Sequence, residues 1–85
     1  MENVLESNVL ALVHKFRKYK NDSAISSYLR SLWKGNLVGE ILEEIADQGV
    51  SDEGVFETLL ARSPLSLRWI EFYVNIWCAQ FARYR

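Results

Sequence analysis

Residues 63 to 85 read SPLSLRWIEFYVNIWCAQFARYR. Ser63 and Pro64 form a helix start signal. A serine oxygen accepts from free backbone N–H groups, and a proline at the first helical position gives up an N–H that has no helical partner. No Gly and no second Pro follows, so the pattern predicts one helix of roughly 20 residues, about 30 Å long. Leu65, Trp69, Phe72, Tyr73 and Ile76 fall on one side of it, with Ile70, Val74, Trp77 and Phe81 beside them. Only Arg68, Glu71 and Asn75 make a polar stripe. A surface helix needs an apolar arc of only about 100°. The expectation is therefore an all-α chain, a compact bundle of about five helices packed around this long apolar C-terminal helix, or else a helix shared between two chains.

Working back from it, residues 1–85 read as a single all-helical domain. Leu5, Val9, Leu12, Phe16 and Tyr19 repeat at spacings of four and three and predict a first helix from Glu2 to Tyr19, with Val13 widening its face. Asn21, Asp22 and Ser23 break that helix and cap a second, Ala24 to Lys34, whose apolar face is Ile25, Tyr28, Leu29, Leu32 and Trp33. Gly35 closes it in a left-handed conformation. Asn36 caps a third helix, Leu37 to Gln48, with Val38, Ile41, Leu42 and Ile45 inward. Gly49 ends it, and a Schellman ending brings Val50 back onto Ile45. Ser51 caps a fourth helix, Asp52 to Arg62, whose buried face is Val55, Phe56, Leu59 and Leu60. Connections of one to four residues leave no room for a sheet.

Composition agrees with a small folded domain. Of 85 residues, 49% are apolar and 13% aromatic, which a chain this short needs if it is to bury a core. Cys78 stands alone, so no internal disulfide forms and the residue reads as a small core side chain. Glu2, Asn3 and Glu6 follow Met1 where a secretory leader would carry cations, and Arg68, Glu71, Asn75 and Gln80 interrupt the apolar C-terminal run. A cytoplasmic protein with no membrane contact is expected.

The net charge of −1 conceals segregation. Residues 35 to 61 carry Glu40, Glu43, Glu44, Asp47, Asp52, Glu53 and Glu57 with no Lys or Arg among them. Such a ridge steers association with a basic protein or with another copy of the chain. The flanking segments are basic, and Lys15, Arg17, Lys18 and Lys20 form one run. Cations in a last helical turn favour the negative end of the helix dipole, which accounts for the run structurally. The second reading is contact with nucleic acid.

The segment from Ile45 to Val55, IADQGVSDEGV, resembles the corner of a DNA-binding helix-turn-helix, in which a glycine turn leads to Val-Ser and an inward apolar residue follows four positions after the serine. The resemblance implies that the following helix enters a major groove. Asp52, Glu53 and Glu57 lie on that helix, and carboxylates repel a polyanion whose binding depends on Lys and Arg.

Nothing in the chain has the spacing of a catalytic triad, a metal-ligand set or a phosphate loop. His14 has no Cys or carboxylate at ligand spacing, and Gly35, Gly39, Gly49 and Gly54 are scattered. The sequence points to a non-enzymatic interaction protein, an adaptor, regulator or inhibitor, without cofactor or metal. Two partner surfaces are expected: the ridge from Glu40 to Glu57, and Trp69, Tyr73, Trp77 and Tyr84 on the terminal helix, which make it a candidate homodimer contact. The alternative is a DNA- or RNA-binding regulator that uses the corner at 45–55 or the run at 15–20.

Overall fold

The computed structural model describes residues 4–82, and its regular elements are all helices: α1 (Val4–Tyr19), α2 (Ser23–Trp33), α3 (Leu37–Asp47), α4 (Asp52–Arg62) and α5 (Leu67–Phe81). The expected five-helix, all-α bundle is what the chain forms.

Local chemistry explains most of the boundaries. The Asp22 carboxylate accepts from the Ile25 N–H at 3.1 Å, and the Asn36 side chain accepts from Val38 and Gly39, so α2 and α3 each start on a satisfied cap. Gly35 and Gly49 take φ of 77° and 68°, a region that a Cβ disfavours. At the end of α3 the Val50 N–H reaches the Ile45 carbonyl and the Gly49 N–H reaches that of Ala46, the two bonds of a Schellman ending. Ser51 occupies the cap position of α4, yet its side chain bonds nothing there.

The start of the last helix differs from expectation. Ser63 closes α4, and its hydroxyl accepts from the Leu65 N–H at 3.1 Å, which makes a turn instead of a helix start. Leu65 then packs against the core, and the first helical bonds run from Trp69 and Ile70 back to Ser66. Burying Leu65 requires the chain to bend before it can wind. The helix is therefore 15 residues, Leu67–Phe81.

The hub of the bundle is α1, which packs against each of the other four helices, while α5 lies chiefly along α1. Val9, Leu12, Val13 and Phe16 are all buried and form one stripe along α1 at spacings of three and four, and the partly buried Leu5, Leu10 and Tyr19 pack against the same core. Trp33 is the aromatic centre. Its ring meets Phe16 at 5.8 Å, Trp77 at 5.5 Å and Phe81 at 5.6 Å, tying α2 to α1 and α5. Gly39 makes room for it: a Cβ on Gly39 would stand 2.2 Å from the Cβ of Trp33.

Candidate functional site

The acidic ridge is partly neutralised by helices that the sequence does not place beside it. Glu43 pairs with Arg30 of α2, and Glu44 lies 3.4 Å from Arg62 of α4 while accepting from Gln48. Asp52 Oδ1 is 2.9 Å from Nε2 of His14 on α1. The exposed remainder is Glu40, Asp47, Glu53 and Glu57. A groove beside the ridge, lined by Ser27, Arg30, Lys34, Glu40 and Glu43, mixes both signs of charge and so selects no one class of ion.

The basic run is divided as well. Arg17 donates from Nε to the Ala46 carbonyl at 3.1 Å, and from Nη2 to Val50 at 3.0 Å and Ile45 at 3.3 Å. The Ile45 and Ala46 oxygens lie at the negative end of α3, where each also accepts one bond of the Schellman ending, and Val50 O lies just beyond it. Lys15 does the same for α5, its Nζ donating to Phe81 O at 2.9 Å. The dipoles that these cations complement belong to other helices, not to α1 as the sequence suggests. Lys18 and Lys20 stay exposed, and the Lys18 ammonium sits over the Tyr19 ring. Two cations of the four are thereby committed to carbonyls inside the fold, which weakens the nucleic-acid reading of the run.

Helix α5 carries two apolar rows. The inner row, Ile70, Val74, Trp77 and Phe81, is buried. The outer row, Trp69, Phe72 and Ile76, faces water, and the exposed Ala79 continues it. Trp77 is only 3% exposed, so it is a core residue and offers no anchor to a partner. Tyr73 lies between the rows, half-buried, stacked on Trp69 at 6.2 Å and on Trp77 at 5.7 Å. Tyr84 lies outside the described residues. Phe72 and Ile76 are surface residues that the sequence reading counted as part of one wide arc. The signal that separates them was present, since 69, 72, 76 and 79 repeat at helical spacing on the side away from 70, 74, 77 and 81. Arg68 joins Trp69 and Phe72 around a shallow depression on this face.

Cys78 is half-buried, its thiol directed at the Asn8 carbonyl, and burial pushes its pKa up while the Lys15 ammonium partly opposes the rise. A thiol in that state is a poor nucleophile. Among the described residues no group of three His, Cys, Asp or Glu could hold a metal ion, and no helix is long and apolar enough to cross a membrane.

Comparison with protein-family models, with curated proteins and with solved structures finds no significant match to this chain.

Proposed function

We propose that this chain is a small protein-interaction module, an adaptor, regulator or inhibitor without an enzymatic step of its own, which works by seating another polypeptide on the outer face of α5. One observation carries the reading. Trp69, Phe72 and Ile76 stand 51%, 52% and 42% exposed in a row, on a helix whose opposite row already closes the core. Apolar surface in water is unfavourable by roughly 25 cal/mol per Å² relative to a covered state. Aromatic residues and Arg are the types enriched where proteins meet, and Arg68 adjoins the row. The exposed Glu40, Asp47, Glu53 and Glu57 add long-range steering toward a basic surface. A lone cysteine with a poorly ionised thiol fits a reducing, cytoplasmic setting.

A photo-activated phenylalanine analogue placed at position 72 tests the reading, with the same group at exposed Ala24 as control. Covalent adducts with a polypeptide should form from position 72 and not from position 24. Absence of any adduct from position 72, in cells or in concentrated solution, overturns the proposal.

A further inference from the structure

The outer row of α5 is graded in size. From its start to its end it runs Trp69, Phe72, Ile76 and Ala79, at spacings of three, four and three, the repeat that lets two helices share one seam. Such a taper matches a second copy of itself only when that copy runs the opposite way. Trp69 then faces the other copy's Ala79, Phe72 faces the other copy's Ile76, and two-fold symmetry repeats both contacts. Every layer combines a larger side chain with a smaller one. A parallel pair would instead set indole on indole at one end and methyl on methyl at the other, crowding the first layer and leaving the last unfilled.

We propose that the occupant of this face is a second copy of the chain, joined as an antiparallel two-fold dimer with layers 69–79 and 72–76. The proposal rests on the reading of α5 as an interaction face and names what covers it. Charge agrees with it. In that register the two Asn75 side chains flank the axis on one edge and the two Tyr73 on the other, while Arg68 lies beside the other copy's Ala82, so no like charges meet. Of the flanks, Tyr73, Asn75 and Gln80 are uncharged and Arg68 is basic, so a strongly basic foreign helix finds no charge partner there. Area sets the strength. Half-exposed aromatic and aliphatic side chains along about 15 Å of helix offer about 400 Å² of apolar surface per copy. With its polar rim such a contact falls at the small end of specific interfaces, so the dimer is reversible, with a Kd in the micromolar range.

Sedimentation equilibrium from about 1 μM to about 1 mM brackets that range, and the mass should rise from the 9.9 kDa of one chain toward twice that value. Ala79→Trp overfills both outer layers and Trp69→Ala empties them. Each variant should weaken self-association by about tenfold or more, with helicity unchanged by circular dichroism. Mixing the two variants refills both layers and should restore a heterodimer. In a Cys78→Ser background, Trp69→Cys in one copy should cross-link to Ala79→Cys in another, whereas preferential linking of 69 to 69 overturns the antiparallel arrangement. A wild-type chain that stays monomeric throughout overturns the proposal, as does a dimer indifferent to both variants. If the chain is monomeric while position 72 still captures a different protein, self-pairing fails and the interaction reading survives. If both readouts are silent, both fail.

Discussion

Arg17 reaches from α1 to the carbonyl oxygen of Ala46 in the last turn of α3, at 3.1 Å, and the same guanidinium serves Ile45 and Val50. The Schellman turn satisfies part of that helix end with backbone N–H groups, and the arginine adds charge-assisted donors at the negative pole of the dipole. One side chain thereby fastens the hub helix to the corner between α3 and α4.

Arg17→Met keeps the apolar stem and removes every donor. It should lower stability by about 2 to 3 kcal/mol, the scale of hydrogen bonds to a charged group whose loss strands part-buried acceptors. Lys18→Met, one position on and exposed, should cost less than about 0.5 kcal/mol. Urea melts of the two variants make the comparison, and equal losses would show that the fork does not hold the corner. Arg17→Lys should recover only part of the loss, since an ammonium is not a planar fork.

Gly39→Ala brings a methyl group 2.2 Å from the Trp33 Cβ, an atom held close to its own backbone. The helices must move apart, so a loss of about 1 to 3 kcal/mol is expected despite the better helix propensity of alanine. Gly54→Ala offers the opposite outcome. Its added Cβ meets Val50 at 3.4 Å, an ordinary contact, so the substitution should stabilise by about 0.5 to 1 kcal/mol. Thermal melts that rank both glycines alike would refute the close approach of α2 to α3.

The two rows of α5 should separate in stability measurements. Trp77→Ala removes a core indole in edge contact with Trp33 and should cost about 3 to 5 kcal/mol. Trp69→Ala removes a half-exposed indole stacked on Tyr73 and should cost under about 1 kcal/mol in the dilute monomer. Guanidinium unfolding at low protein concentration distinguishes them, and a large cost at Trp69 would place that residue in the core.

Burial raises the pKa of Cys78, so the folded chain favours the neutral thiol more than the unfolded chain does. That contribution to stability is complete below the ordinary thiol value and is lost as pH rises through the raised folded one. The wild type should therefore lose stability in mildly alkaline buffer relative to Cys78→Ala, and iodoacetamide should modify the native thiol more slowly than it does the unfolded one. Lys15 opposes the shift, so Lys15→Met should slow alkylation further. Alkylation of the native chain at the rate of a free thiol would contradict the desolvated site.

Helix existence and most helix ends were legible in the sequence because they depend on groups within a few residues of each other. Asp22, Asn36, Gly35 and Gly49 act on adjacent backbone, and the structure places each where its type requires. Ser63 misled because its hydroxyl serves a turn as well as it serves a cap, and the choice fell to Leu65, whose burial is a property of the whole core. The ridge looked free of partners because Arg30 lies on α2, His14 on α1 and Arg62 at the far end of α4. Charge on one helix face says nothing of what folds against it.

By itself, then, the sequence determined five amphipathic helices, their caps and an all-α class, since periodicity and capping are short-range. Only the tertiary structure decided that α1 is the hub, that Arg17 and Lys15 serve the ends of α3 and α5, and which row of α5 faces inward. The physical reason is degeneracy. The two apolar rows lie on nearly opposite sides of the helix, about 150° apart, and both bury well in principle. The choice between them comes from steric fit, because only the inner row brings Trp77 and Phe81 onto the edge of Trp33.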